Sequence, residues 1–244
     1  MRVFGIIGYP LGHSFSQKYF TEKFQREGID DCKYEVYPVM SIYEMKDIIK
    51  QNPNLIGLNI TIPYKQLVLR HLYTRQNIPS GVRACNCVKV IDGQTWGYNT
   101  DVIGFEQSLL PLLDTHHSNA LILGNGGAAE AVKYVLQKFH INCEIVSRKI
   151  HDGSKMTYAD LNETIIKNNL LIINTTPLGT FPKTDECPDI PYQHLTSQHF
   201  LYDLVYNPEK TLFLKKGEER GTVIKNGYEM LVMQAEESWS IWNM

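Results

Sequence analysis

The chain has 244 residues, a net charge of −2 at neutral pH and 43% hydrophobic residues. That length suits one large domain or two modest ones, and the apolar content is ample for a buried core. The sequence contains no block of lysine and arginine and no apolar run of transmembrane length. We therefore expect neither a nucleic-acid partner nor a membrane partner.

The cysteines are odd in number, scattered, and include no Cys-x-x-Cys pair; they are Cys32, Cys85, Cys87, Cys143 and Cys187. This pattern is typical of reduced thiols in a cytosolic protein. The N-terminal segment 1–14 is apolar but short and interrupted by glycine and proline, unlike a signal peptide. We expect a soluble, cytoplasmic monomer or homodimer. No metal is expected, because no His, Cys or carboxylate cluster has ligand spacing.

The first half of the chain alternates predicted strands and helices. Strands are predicted over 3–8, 34–39 and 55–60, and helices over 42–51 and 64–73. Ser16 is a candidate N-cap for an earlier helix. Asp92-Gly93 is a strong turn signal, which predicts a hairpin of strands over 85–91 and 95–98. The alternation favours a largely parallel sheet covered by helices.

A predicted helix over 104–113 and a polar segment, 115–119, lead into the second half and indicate a domain boundary. Further strands are predicted over 120–123, 143–146, 170–173, 200–204 and 222–225. A helix beginning near Ala128 links the first two of these strands into a βαβ unit. An amphipathic helix over 228–242 follows. The second half is therefore also predicted to be α/β.

The segment 57–65 reads GLNITIPYK and carries polar side chains to the end of an apolar strand. Asn59 and Thr61 are two apart and so project from the same face. Lys65 follows at the mouth of the next element. A second segment, GYNTD, supplies the carboxylate of Asp101. Converging polar groups at the end of a strand suit a small hydroxylated ligand, and they make Lys65 and Asp101 the catalytic candidates.

Other polar residues leave two roles open. Ser14 and Ser16, in GHSFSQ, either bind a ligand carboxylate or cap a helix. Asn86 lies within a predicted strand, so its amide either joins a buried network or meets a ligand. Gln234 adjoins the apolar stripe of the last helix, which suits a ligand contact or a packing role. Tyr206, in DLVYNP, is a further candidate.

A glycine turn, GNGGAA, follows one predicted strand and opens a helix. Its cofactor-binding candidates are Gly124, Asn125, Gly126, Gly127 and Ala128. In this context the glycines let the backbone approach a pyrophosphate, and the helix N-terminus supplies amide donors. The pattern favours dinucleotide binding over an ordinary strand-to-helix turn.

The next strand ends in Ser147-Arg148-Lys149 rather than in the carboxylate that usually holds the ribose of NAD. Two cations and a hydroxyl suit the 2′-phosphate of NADP, although a solvated basic loop would look the same. Asn174 and Thr175 follow another strand, and their loop is placed to lean over a nicotinamide.

Taken together and in this order, these motifs resemble those of the shikimate dehydrogenase family over nearly the whole chain. The matching segments are GHSFS, GLNITIPYK, NCV, GYNTD, GNGGAA, DLVYNP and NGYEMLVMQA. The resemblance implies an oxidoreductase that reversibly reduces 3-dehydroshikimate to shikimate with NADPH, a step toward chorismate and the aromatic amino acids.

The resemblance also implies a two-domain α/β fold. Residues 1–102 would form a substrate domain and residues 103–225 a Rossmann-type NADP-binding domain. The C-terminal helix, 226–244, would return to the substrate domain, and the substrate would lie in the interdomain cleft.

The resemblance assigns the substrate carboxylate to Ser14 and Ser16 and catalysis to Lys65 and Asp101. Side chains implied to bind the substrate hydroxyls or fix the site are Asn59, Thr61, Asn86 and Gln234. Tyr206 would lie near the substrate. Arg148 would hold the 2′-phosphate, and the last motif adds Gly227 to the cofactor-binding set.

Several positions depart from the family pattern. They are Gln17 after the second serine, Glu130 in the helix after the glycine turn, Ser147 in the phosphate clamp and Thr180 in the loop after Asn174. Three alternatives therefore stay open. They are a quinate/shikimate dehydrogenase using either nicotinamide cofactor, a paralogue acting on another hydroxy acid, and a non-catalytic NADP-binding regulator.

Overall fold

The computed structural model describes residues 1–11, 15–150 and 156–244. The chain divides into two compact units. The first comprises Met1–Thr100 with Gln234–Met244, and the second comprises Asp101–Met233. The polar segment 115–119 lies inside the second unit, so it is not the boundary that its composition indicated. The division at residue 102, with its assignment of substrate and cofactor domains, stays a prediction.

The described strands are β1 (Arg2–Gly8), β2 (Cys32–Pro38), β3 (Leu55–Ile60), β4 (Thr74–Asn77), β5 (Cys87–Ile91), β6 (Gln94–Tyr98), β7 (Asn119–Leu123), β8 (Asn142–Ser147), β9 (Met156–Thr157), β10 (Leu171–Asn174), β11 (Phe200–Asp203) and β12 (Val223–Lys225). The α-helices are α1 (Phe15–Glu27), α2 (Met45–Gln51), α3 (Thr100–Leu109), α4 (Gly127–Lys138), α5 (Glu163–Asn168), α6 (Leu212–Glu218) and α7 (Tyr228–Asn243). Short 3₁₀ helices span Ile42–Glu44, Leu67–His71, Leu110–Leu112, Tyr158–Asp160 and Tyr192–His194.

The first unit holds a mixed six-stranded sheet with the order β2-β1-β3-β5-β6-β4. The strands β2, β1 and β3 are parallel, as the alternation of strand and helix predicts. The strand β5 then runs antiparallel to both β3 and β6. Ile91 pairs with Gln94 at the end of the β5–β6 ladder, which confirms the predicted hairpin. The carboxyl ends of β1, β2 and β3 therefore meet at one edge of the sheet.

Two local predictions in this unit are wrong. Ser16 lies within the first turn of α1, because that helix already includes Phe15, so Ser16 is not its N-cap. The predicted helix over 64–73 is only a short 3₁₀ helix, and the strand β4 follows it. Here tertiary pairing overrides helical spacing, because Tyr73 N donates to Thr95 O and Thr74 pairs with Trp96 of β6.

The second unit holds a parallel six-stranded sheet with the order β12-β11-β10-β7-β8-β9. In chain order this is the arrangement of doubly wound dinucleotide-binding sheets, with β7 as the first strand. The order reverses between β7 and β10, so Leu123 and Asn174 end side by side at the switch point. The predicted α/β fold class with a Rossmann-type domain is confirmed.

Each sheet is packed on buried apolar side chains. In the first unit one cluster surrounds Met45, Leu58 and Val68. A second, aromatic cluster includes Phe4 and Trp242, whose rings stack with centroids 5.0 Å apart. Trp242 Nε1 also donates to Val88 O at 3.1 Å, so the last turns of α7 help to build the core of the first unit.

The core of the second unit surrounds β7 and β10, with Leu121 and Ile172 fully buried. Over the residues that the structure describes, no helix has both the length and the apolarity needed to cross a membrane.

Candidate functional site

The end of β3 and the segment after it fix the backbone near Lys65. Thr61 N donates to Ile7 O at 2.9 Å, which extends the pairing of β3 with β1. Thr61 O then accepts from Tyr64 N at 2.8 Å, which closes a turn. Lys65 is partly buried, and its carbonyl accepts from Cys85 N at 2.7 Å. The backbone of Thr61 is therefore hydrogen-bonded to the end of β1, and that of Lys65 is hydrogen-bonded to Cys85, just before β5.

Asn59 is the centre of a buried polar network in the first unit. Its side chain is only 5% exposed. Oδ1 accepts from Tyr34 Oη at 2.7 Å, and Nδ2 donates to Asn86 O at 3.3 Å and to Ser238 Oγ at 3.1 Å. Both Nδ2 hydrogens are thus used within the protein. Of the two roles implied for Asn59, these bonds favour fixing the site over binding a hydroxyl.

The amide of Asn86 holds the start of α3. Its Oδ1 accepts from Thr100 N at 2.7 Å, and its Nδ2 donates to Thr100 Oγ1 at 2.9 Å. A backbone N–H at a helix start has no partner within its own helix, so this pair of bonds stabilises α3. Asp101 is the next residue and is 5% exposed. Its carboxylate lies in the first turn, where the helix dipole stabilises negative charge.

The helix α7 completes this network. Ser238 Oγ donates to Gln234 O at 2.8 Å and lies 3.2 Å from Thr100 Oγ1. Gln234 Oε1 is 3.5 Å from Asn86 Nδ2. The structure therefore brings three predicted residues, Asn59, Asn86 and Gln234, into one network of neutral groups. We name it the amide network.

Sequence reasoning missed three members of the amide network, Tyr34, Thr100 and Ser238. Ser238 lies four residues after Gln234 and so shares its helix face, which was an available signal. Burial raises the pKa of Tyr34 well above its usual value, although a hydrogen bond with Ser16 opposes the shift. Tyr34 therefore stays protonated and donates to Asn59.

The remaining predicted substrate residues are distributed as follows. Ser16 is 9% exposed and lies beside Tyr34 in the first unit. Ser14 lies outside the described residues. Asp101 and the half-buried Tyr206 belong to the second unit. The pairing of Lys65 with Asp101 stays a prediction.

In the second unit the glycine turn lies at the switch point of the sheet. Gly124 has a φ of +102°, a left-handed conformation that favours glycine. A Cβ there would lie 2.8 Å from Thr175 Oγ1 and 2.9 Å from Thr176 Cγ2. Gly124 N donates to Val146 O at 2.8 Å. Both conformation and packing therefore require glycine at this position.

Gly126 presents the opposite case. Its φ is −78°, and a Cβ there would meet no atom of the described chain within 4 Å. Nothing in the protein itself requires glycine here. The helix α4 begins directly after it. Open space before a helix start, at a switch point, fits the pyrophosphate of a dinucleotide.

The residues flanking Gly126 complete this turn. Asn125 is exposed, whereas Gly127 and Ala128 are partly exposed in the first turn of α4. Glu130 lies in the same turn and adds negative charge near the proposed phosphate position. The backbone amides are therefore the groups that would hold a phosphate here.

The end of β8 separates the three predicted clamp residues. Ser147 is 6% exposed, and its hydroxyl donates to Lys149 O at 2.6 Å. Arg148 and Lys149 are exposed. Arg148 lies close enough to Tyr158 for its charge to lower the pKa of that hydroxyl, which burial raises. The side chains of Arg148 and Lys149 therefore face solvent. The Ser147 hydroxyl stabilises the bend of the backbone from Ser147 to Lys149.

The loop after β10 rests on a second buried network. Asn174 is fully buried, and its Nδ2 donates to Asp203 Oδ1 at 2.9 Å. Its Oδ1 accepts from Thr176 N at 3.0 Å. Asp203 also accepts from Thr211 Oγ1 at 2.5 Å and from Val205 N at 3.0 Å. The Asn174 side chain therefore stabilises its loop through bonds within the protein. A contact from this loop to a cofactor would come from Thr175 or from the backbone.

Asp203 was not among the sequence candidates. Burial raises its pKa to about 6, although its hydrogen bonds with Thr211, Val205 and Asn174 oppose the shift. It opens the DLVYNP motif, but nothing in the sequence distinguishes a buried aspartate from an exposed one. We name Asp203, Asn174, Thr176 and Thr211 the carboxylate network.

Gly227 seats the start of α7 against the end of β11. Its N–H donates to Val205 O at 3.1 Å, and a Cβ there would overlap the carbonyl group of Leu204. Close backbone approach therefore explains this glycine without a ligand. Its predicted role in cofactor binding stays a prediction.

Among the described residues, no group of three or more His, Cys, Asp or Glu side chains is arranged to hold a metal ion. All five cysteines are free thiols.

Comparison with known proteins gives a consistent result. The family model described as the shikimate dehydrogenase substrate binding domain matches residues 6–88. A shikimate dehydrogenase (NADP(+)) from Methanococcus maripaludis is 34% identical over 257 residues, which covers 99% of this chain and 91% of the relative.

Solved structures show the same similarity. A shikimate dehydrogenase in complex with NADP⁺ has a TM-score of 0.86 at 28% identity, covering 99% of this chain and 89% of that one. A shikimate 5-dehydrogenase from Listeria monocytogenes, in complex with shikimate and NAD, has a TM-score of 0.83 at 26% identity. It covers 99% of this chain and 91% of the other. These similarities extend over both units.

Proposed function

This chain belongs to the shikimate dehydrogenase family, and we propose on that premise that it reversibly reduces 3-dehydroshikimate to shikimate with NADPH. The observation that carries the proposal is the open space at Gly126, at the switch point of a doubly wound sheet. It supports a dinucleotide as the cofactor. The extent of the similarity, over 99% of the chain, supports the same substrate.

The cofactor is NADP, in agreement with the relatives that are named or crystallised with it. The amides of Gly126, Gly127 and Ala128 would bind its pyrophosphate, since a helix N-terminus favours an anion. Arg148 and Lys149 would bind the 2′-phosphate, and an exposed guanidinium can do so through two parallel bonds. When bound, NADPH supplies the hydride.

Lys65 is the proposed proton donor. As the substrate carbonyl is reduced, negative charge develops on its oxygen, and an ammonium group can stabilise that charge and transfer a proton. Asp101 would orient Lys65 and the substrate hydroxyl. The bonds from Asn86 to Thr100 fix the start of α3 and hence the backbone of Asp101.

Substrate recognition is assigned to hydroxyl and amide groups of the first unit. Ser14 and Ser16 would bind the carboxylate, and Thr61 would bind a ring hydroxyl. Asn59 acts as a positioning residue, because its amide is committed to Tyr34, Asn86 and Ser238. The roles of Tyr206 and Gln234 near the substrate and the expected cytoplasmic location stay predictions.

The test is an absorbance assay of NADP⁺ reduction with shikimate, repeated with quinate and with NAD⁺. Lys65→Ala should lower kcat by about 10²–10⁴-fold with little change in KM, because its interaction is made in the transition state. Lys33→Ala, which removes an exposed lysine of β2, is the control. A Lys65→Ala variant that changes only KM would remove Lys65 from catalysis.

Two observations are the reason for comparing NAD⁺ with NADP⁺ in this assay. One similar protein was crystallised with NAD. In this chain the Ser147 hydroxyl donates its hydrogen bond to Lys149 O rather than pointing to a phosphate. Equal turnover with NAD⁺ would favour the alternative of a dehydrogenase using either nicotinamide. Tight NADPH binding without turnover of shikimate or quinate would favour a regulator.

A further inference from the structure

A pocket of about 480 Å³ opens on the first unit, among residues that the proposed function does not use. It lies between α2, the end of the 3₁₀ helix Leu67–His71 and the β5–β6 hairpin. Volumes of roughly 300–1,000 Å³ are typical of small-molecule sites. Its size is therefore sufficient for a compact organic molecule.

The lining combines apolar and basic groups. Ile49 and Leu72, which are partly exposed, contribute an apolar surface that lies over the fully buried Met45. Lys46, Arg70 and His71 contribute the basic side chains. Among the described residues that line the pocket, none is acidic, although the chain has more acidic than basic residues. The pocket thus presents two cations, Lys46 and Arg70, beside an apolar wall.

The walls are held in place by bonds that involve no ligand. Thr95 Oγ1 donates to His71 O at 3.3 Å, and Tyr73 N donates to Thr95 O at 2.9 Å. The His71 ring meets the Tyr43 ring edge-on, with centroids 4.7 Å apart. The two hydrogen bonds join the segment 71–73 to the hairpin, and the ring contact joins it to the 3₁₀ helix Ile42–Glu44 that precedes α2. The lining residues are therefore presented from backbone elements that contact one another.

The pocket is distinct from the residues assigned to the substrate. Asn59 pairs with Cys87, whereas Thr95 pairs with Val90, three residues further along β5. At about 3.4 Å per residue, the hairpin wall lies about 10 Å along the strand from Asn59. It therefore lies toward the opposite edge of the sheet from Thr61 and Lys65.

We propose that this pocket is a second binding site, for a small organic carboxylate with an apolar body. The guanidinium of Arg70 and the ammonium of Lys46 bind the carboxylate, and the apolar wall receives the body of the molecule. An arginine fork matches a carboxylate well, which favours this class over an uncharged ring. Since both cations are exposed, the affinity should be modest, about 1 mM for a molecule of benzoate size.

The experiment titrates the ¹⁵N-labelled full chain with benzoate, with benzamide and with inorganic phosphate. Benzamide keeps the ring without the charge, and phosphate keeps the charge without the ring. Backbone amide shifts are followed by NMR at Ile49, Leu72 and Thr95, and at Asn59 and Asn86 as reporters of the amide network. Benzoate should shift the amide signals of Ile49, Leu72 and Thr95 until the site is saturated. It should bind more tightly than benzamide or phosphate.

Variants then test the cations. Arg70→Gln and Lys46→Gln should each weaken benzoate binding about three- to tenfold, which corresponds to about 0.7–1.4 kcal/mol. Arg75→Gln and Lys50→Gln are the controls, because they remove exposed cations of β4 and α2 that do not line the pocket. They should leave the affinity for benzoate unchanged.

Three results would overturn the proposal. Benzoate shifts confined to Asn59 and Asn86 would place the ligand elsewhere. Equal binding of benzamide would remove charge recognition. Phosphate binding as tight as that of benzoate would reduce the site to a simple anion site in which the apolar wall has no part.

Discussion

The amide network and the carboxylate network both lie where strands of a sheet end, but they are built from different groups. The amide network joins Asn59 to Asn86, Thr100 and Ser238 through neutral side chains. The carboxylate network is organised around Asp203, a buried acid. A neutral network keeps its bonds over a wide pH range, whereas a buried carboxylate couples its surroundings to pH.

The difference also separates two ways of positioning a loop. In the first unit every group of the network is neutral, so removal of one group breaks only hydrogen bonds between neutral partners. In the second unit a single carboxylate accepts bonds from Asn174, Thr211 and Val205. Loss of that carboxylate would leave three donors without an acceptor. We therefore expect the second unit to be the more sensitive to a single substitution.

The largest expected effect is that of Asp203→Ala. It would leave three buried donors without their acceptor and create a small cavity. We expect a loss of about 4 kcal/mol in the free energy of unfolding at neutral pH, measured by chemical denaturation. Asp185→Ala, at an exposed loop position, is the control and should change stability by less than about 0.5 kcal/mol. Equal losses in the two variants would contradict the central place of Asp203.

The next effect is on pH dependence. The pKa of Asp203 rises from 3.8 to about 6 in the folded protein, so the native state binds this proton more tightly than the unfolded state does. The stabilisation is full below about pH 4 and is lost as the pH rises through about 6. Two pKa units correspond to about 3 kcal/mol.

Comparison with Asp203→Asn isolates this group, because other titrating residues cancel in the difference. Between about pH 3 and 7, the wild-type protein should lose about 3 kcal/mol of unfolding free energy relative to the variant, of which about 2 kcal/mol falls between about pH 4 and 6. A difference that stays constant, or one that grows in favour of the wild type, would show that Asp203 is not the source of the pH dependence.

The smallest effect belongs to the amide network. Ser238→Ala should cost about 1 kcal/mol, because it removes a neutral acceptor from one Asn59 Nδ2 hydrogen while the other hydrogen keeps its bond to Asn86 O. The cost should be the same at pH 5 and at pH 8, since the group is neutral. Ser240→Ala, exposed on the same helix, is the control. A pH-dependent cost of Ser238→Ala would break the contrast between the two networks.

The parts of this fold that sequence predicted best are those with strong local signals. The strand β3 has the predicted bounds, because a short apolar run ends at a polar segment and a proline. The glycine turn was found from its position between a strand and a helix. The short elements α5, α6 and β9 were missed, since six, seven and two residues carry little periodic signal.

The candidate site shows the same limit. Residues that lie within one motif, such as Asn59, Thr61 and Lys65, could be proposed together. Their partners could not, because they arrive from distant parts of the chain. Asn59 and Ser238, for example, are 179 positions apart. The carboxylate of Asp203 was missed for a related reason, since its burial depends on how β10 and β11 pack.

The division of α7 between the two units has a consequence for how the protein is made. Residues of this helix from Gln234 onward belong to the first unit, where Trp242 and Ile241 fill its aromatic core. During synthesis, the ribosome must therefore release the whole second unit before the first can close its core. Until then the apolar face around Phe4 stays exposed, and chaperones that bind nascent chains would find it there.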